Sequence, residues 1–145
     1  MRFVISTLQS KIHHREQGQA MVEFALVLPF LVMLLCFIVD FGWMLSCKND
    51  LTNLAGQAAR YGAIQANKGE ATVRSSVDTF VSNNGYNSRG EAKLEKVTYD
   101  EANGFVSVEL KEDVSYLTGM TGVLTGHGTG ETLEAVAAAP IDPYK

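Results

Sequence analysis

Polar and apolar residues are segregated along this chain rather than mixed. Phe24 to Val39 reads FALVLPFLVMLLCFIV, sixteen positions without a charge. Single acids frame the run, Glu23 before it and Asp40 after it. Apolar side chains resume beyond each acid: Ala20, Met21 and Val22 on one side, Phe41, Trp43, Met44 and Leu45 on the other. As a helix the uncharged run rises about 24 Å, short of a hydrocarbon core of about 30 Å, and the flanks supply the remainder. Trp43 carries the amphipathic ring that settles at a membrane rim. A buried core helix is the alternative, but so small a domain has too little protein to enclose such a helix on every side. The pattern predicts a membrane helix over residues 19–47. Pro29 falls inside it, where lipid tolerates the residue and a kink results.

The remaining pattern is that of a small polar domain over residues 48–145. Leu51, Leu54, Ala55, Ala58 and Gly62 share one helical face with small side chains, so the membrane helix continues outward as one long element. Packing of that face against the chain's own sheet is favoured over a partner helix. Glu70 to Val81 predicts a second helix, with Val73, Val77, Phe80 and Val81 inward. Asn83-Asn84-Gly85 should end it in left-handed geometry. Lys93 to Tyr99 is rich in strand formers, and Asn103-Gly104 is a hairpin signal. Val106, Val108 and Leu110 alternate on one side of a strand. Leu133, Ala135 and Ala137 mark a last strand, stopped by Pro140. Gly119 to Gly130 holds many glycines but no Gly-Lys-Ser/Thr and no supporting βαβ unit, so a mobile loop is expected rather than a phosphate cradle. The fold class is therefore α+β: a long N-terminal transmembrane helix continuing into a small antiparallel-sheet head.

Composition narrows the partners. The chain has 145 residues and a formal net charge of -4. An acidic protein lacks the cationic footprint that nucleic acid requires, so no nucleic-acid partner is expected. Arg2, Lys11 and Arg15 precede the apolar run, whereas Lys48 and Arg60 follow it; the bias favours a cytoplasmic N-terminus. Cys36 and Cys47 stand about 16 Å apart along a helix and cannot bridge one another. Cys36 reads as apolar filler, and Cys47 is open to a cross-link between subunits.

Residues 15–24 hold the informative chemistry: Arg-Glu-Gln-Gly-Gln-Ala-Met-Val-Glu-Phe. A basic leader, residues 1–18, ends in Gly18, and the apolar region lies after the glycine. A secretory signal has the reverse order. A cut between Gly18 and Gln19 would keep the anchor in the mature protein. Glu23 carries a cost of about 2.5–3.5 kcal/mol if it lies deep in the bilayer, less near the interface. The new amino group of Gln19 is a cation that would offset it, within one chain or between packed helices. Residence at the headgroup level explains Glu23 equally well from its position alone.

The run Gly18-Gln19-Ala20-Met21-Val22-Glu23-Phe24-Ala25-Leu26-Val27-Leu28-Pro29 resembles the N-terminus of TadE-like proteins, the pseudopilins of the tight-adherence (Flp, type IVc) pilus system of bacteria. Asp40-Phe41-Gly42 is similar to the exit of the family's helix. Leu51 to Ala55 and Ala58 to Ala63 are similar to the Ala/Arg/Gly-rich stretch after it. The resemblance covers residues 15–64. It implies cleavage after Gly18 by a prepilin peptidase, with Glu23 as the fifth mature residue. It implies subunit assembly through Glu23 and Phe24. The implied partners are the peptidase, other pilins and pseudopilins, inner-membrane platform proteins and the lipid bilayer. The implied role is in pilus biogenesis, adhesion and biofilm formation, with the head in the periplasm. Major pilins of the system are much shorter and carry Glu-Tyr where this chain has Glu23-Phe24, which favours a minor pilin-like role.

No catalytic residues, metal site or cofactor are expected. His13 and His14 lie in the leader and His127 among the glycines, and no Cys/His spacing suits a metal. Glu109, Glu112 and Asp113 read as a solvated face. The rival function is a signal-anchored or lipidated periplasmic domain, for which Met44-Leu45-Ser46-Cys47 is a poor lipidation match.

Overall fold

The computed structural model describes the backbone of residues 2–85 and 91–141, with side chains from Gly18 onward. It consists of two units that divide after Ile38.

The first helix, α1 (Arg2–Ile64), starts well before Gly18, where the sequence suggested that the helix begins. No proline precedes Pro29, and a glycine inside a helix costs only about 1 kcal/mol, so nothing in the leader terminates the backbone pattern. The element continues through Pro29. In the first unit the side chains of Met21 through Ile38 are almost all exposed, including Phe24, Leu26, Phe30, Leu31 and Leu34. From Gly18 the helix is long and apolar enough to cross a membrane. Apolar side chains turned outward on every side fit lipid and not water.

The second unit contains the rest of α1, a single 3-10 turn (Ala66–Lys68), α2 (Glu70–Asn84), β1 (Lys93–Asp100), β2 (Phe105–Ser115), α3 (Met120–Thr125) and β3 (Gly130–Pro140). The strands form an antiparallel sheet in the order β1-β2-β3. The fold is the expected α+β arrangement of a long helix and a small antiparallel sheet.

Leu51, Ala55, Ala58 and Ala59 of α1 share one core with Val73, Val77 and Val81 of α2 and Val106, Val108 and Leu110 of β2. The small-residue face of α1 therefore packs on the chain's own sheet. Gly62 marks the closest approach: a Cβ there would lie 2.8 Å from Val77 Cγ2 and 3.1 Å from Val106 Cγ1. Tyr61 stacks on Phe80 beside it, with ring centroids 5.1 Å apart.

Three expectations are corrected by the packing. Gly85 follows α2 with φ -82°, not left-handed. Its glycine identity answers to space instead, since a Cβ would lie 2.6 Å from the Val81 carbonyl oxygen. Glu112 is not solvated but 2% exposed, because it follows Val108 and Leu110 on the inward side of β2. Cys47 is 1% exposed, so a cross-link to another subunit would first require the head to open.

The β1–β2 hairpin turns through Asn103-Gly104 as expected. The Asp100 carboxylate accepts hydrogen bonds from the Asn103 side-chain amide at 2.7 Å and from its backbone N–H at 2.9 Å. These bonds hold the Asp100 carboxyl below the usual carboxylate range. Across the sheet, Lys111 of β2 meets Glu134 of β3 at 3.1 Å and Glu95 of β1 at 3.4 Å. The hydrogen bond to Glu134 is the main cause of a raised Lys111 pKa.

Candidate processing and assembly site

Gly18, Gln19, Glu23 and Phe24 lie on consecutive turns of α1, all exposed. Helical spacing sets Gln19 and Glu23 one above the other on the same face. The Gln19 side-chain amide donates to Glu23 Oε1 at 3.1 Å. The Glu23 carboxylate thus reaches back to the level of residue 19, where cleavage would create an amino group. A Cβ at Gly18 meets no atom within 4 Å, so packing within this chain does not require glycine there. Phe24 is 63% exposed and free to contact lipid or another helix. The structure brings the four residues together on one short segment, as their sequence order demands.

A second polar constellation escaped the sequence reading. Asp40, one residue after the apolar run, is fully buried in the head. Its Oδ1 accepts from the Thr118 backbone N–H at 2.7 Å. Its Oδ2 accepts from the hydroxyls of Thr118 at 2.7 Å and Thr121 at 2.8 Å, and from the Thr121 N–H at 3.3 Å. Four donors compensate for the desolvation of one carboxylate. The carboxylate also serves α3 as a capping group supplied from another element. The Gly119–Gly130 stretch, expected to be a mobile loop, is therefore partly ordered. Gly119, Gly126 and Gly128 adopt positive φ, which lets the chain turn tightly around α3. Gly122 has no room for a side chain, because a Cβ would run into the Gly128 carbonyl. The available signal was the spacing of Thr118 and Thr121, each followed by glycine. It is weak without knowledge of the acid across the fold.

Among the described residues no group of His, Cys, Asp and Glu is arranged to hold a metal ion. A cleft of about 1100 Å³ lies beside Arg60, Glu70, Tyr99 and Glu101, broad and open to solvent. Ala63, Ile64, Pro140 and Ile141 also line it, but it is not enclosed as a small-molecule site usually is.

Comparison with known families finds one similarity, and it falls on the N-terminal segment. Residues 18–60 match the TadE-like protein family. The match opens at Gly18 and ends at Arg60 within α1, and it takes in Gln19, Glu23, Phe24 and Asp40. No curated protein and no solved structure matches the chain. The TadE-like segment is thus the apolar helix and the α1 residues that enter the core, while α2 and the sheet lie outside it. The similarity is confined to this stretch of α1, which is also the candidate membrane anchor.

Proposed function

We propose that this protein is a minor pilin-like subunit, a pseudopilin, of the tight-adherence pilus system. It is held in the inner membrane by α1 with its head on the periplasmic side. A prepilin peptidase cuts after Gly18, and the mature chain works by assembly rather than catalysis in pilus biogenesis, adhesion and biofilm formation. The observation that carries this reading is the TadE-like match, which starts at the glycine where the leader should end.

The local geometry supports it. Cutting before Gln19 frees the first backbone N–H groups of the helix and adds an α-amine. Glu23 lies four residues on, and helical side chains lean toward the N-terminus, so its carboxylate is already directed at the new charge. Subunits that pack side by side can exchange this pairing, amine of one with acid of the next, and that fixes their stagger. Other pilins and pseudopilins, the peptidase and the membrane platform are the partners this process needs.

Mass spectrometry of the protein from its native host tests the processing step. The expected mature N-terminus is Gln19; a chain that retains Met1 refutes it. The lipidated alternative has no support in the head, since Cys47 is enclosed within it. In the Glu23→Ala variant, membrane insertion should persist and piliation should fail. Normal piliation would remove the assembly role of the carboxylate.

A further inference from the structure

The segment around α3 carries a surface that the assembly role does not use. From Val114 to Gly130 the sequence contains no Asp, Glu, Lys or Arg, whereas Lys111, Glu112 and Asp113 precede it and Glu131 follows it. Leu117 is 60% exposed, Val123 79% and Leu124 54%, with Met120 less so. An apolar side chain exposed singly is unremarkable, but four within eight residues of an uncharged segment are not.

Its attachment point indicates what covers the segment. Asp40 binds Thr118 and Thr121, the neighbours in sequence of Leu117 and Met120, through four hydrogen bonds. Asp40 itself directly follows the uncharged apolar run, and a core of about 30 Å occupies about 20 helical residues, which brings the hydrocarbon boundary to this residue. Phe41 and Leu45 on the same stretch of α1 are also exposed. A segment fastened to residue 40 is therefore held at the height of the lipid headgroups. There, charged side chains would be penalised and apolar ones sheltered.

We infer that the 117–124 segment is a second membrane contact, which seats Leu117, Met120, Val123 and Leu124 in the bilayer interface beside the exit of the anchor. Asp40 has a positioning role: it draws the segment down to the lipid surface. The occupant of the apolar surface is phospholipid, with no other protein required. The inference rests on the reading of α1 as a membrane anchor.

The test uses the full chain, methyl-labelled at Leu and Val, in nanodiscs of phosphatidylethanolamine and phosphatidylglycerol. Doxyl lipid labelled near the headgroup should remove most of the methyl signal of Leu117, Val123 and Leu124, while a soluble gadolinium chelate leaves it. Val136, exposed on β3, should respond in the opposite way. Doxyl lipid labelled at the chain end should broaden Leu31 and Leu34, which reports on the anchor separately. Loss at Leu31 and Leu34 with Leu117, Val123 and Leu124 behaving like Val136 overturns the second contact and leaves the anchor standing. Protection of the three from both agents also overturns it, in favour of a protein neighbour. Absence of broadening at Leu31 and Leu34 overturns the anchor and the inference together. Val123→Glu, at a position open enough not to disturb folding, should restore the Leu117 and Leu124 signals in headgroup-labelled lipid; unchanged broadening in that variant counts against the proposal.

Discussion

Replacing Asp40 by alanine removes one side chain and four hydrogen bonds at once. A hydrogen bond to a charged group contributes about 1.5–3 kcal/mol net, and the two threonine hydroxyls recover water when released, so about 3 kcal/mol of local stability should be lost rather than the full sum. The loss is local because α3 is joined to the core through this acid, while α1, α2 and the sheet share a separate apolar cluster. Hydrogen exchange on the full chain in detergent reads the difference. At 1.4 kcal/mol per factor of ten, the Thr118 and Thr121 amides should exchange about a hundredfold faster, with Val106 and Val108 unchanged. Asp40→Asn retains one acceptor oxygen and should fall between the two. Unchanged exchange at Thr118 and Thr121 would show that the carboxylate does not hold α3. Equal acceleration at Val106 and Val108 would show that it holds the whole head.

Gly62→Val should destabilise the head by about 1–3 kcal/mol, through overpacking against Val77 and Val106, and lower its thermal midpoint. Gly122→Ala should disorder α3 and the turn at Gly128 without moving that midpoint, visible as lost amide protection confined to residues 116–129. The Lys111 pKa is raised by Glu134 and Glu95, so this contribution is fully present below the ordinary lysine range and fades only as pH rises through the folded value. Stability measured from neutral pH into strong alkali should therefore show a late decline that Lys111→Met abolishes. The Asp100 pKa is lowered by Asn103, so its contribution stands at neutral pH and is lost only as acid titrates the folded carboxyl. In Asn103→Ala that acid-sensitive part of the stability curve should shrink.

Periodic features were legible in the sequence because each reports on a local backbone geometry. The α1 stripe, the valines of α2 and the alternation of β2 all appear where their spacing placed them. Position also contained information that residue type obscured. Glu112 has the parity of Val108 and Leu110, so the strand buries it despite its charge. Cys47 lies four residues before Leu51 and seven after Asp40, on one helical face, and all three are enclosed. Reading spacing ahead of polarity would have found them. The Asp40–Thr118 contact could not be found that way, since it joins residues 78 apart and depends on how the β2–β3 connection folds back. Gly18, Gln19 and Glu23 stand where their spacing puts them, because neighbouring turns of one helix leave their arrangement no freedom.

The enclosure of Cys47 gives the protein a native clock. A sulfhydryl at 1% exposure meets an aqueous alkylating reagent only during excursions that lift α1 from the head. The rate of its capture at saturating reagent counts those excursions without any engineered label. Compared between detergent and a lipid bilayer, that rate would report whether the surroundings of α1 quiet the head's breathing.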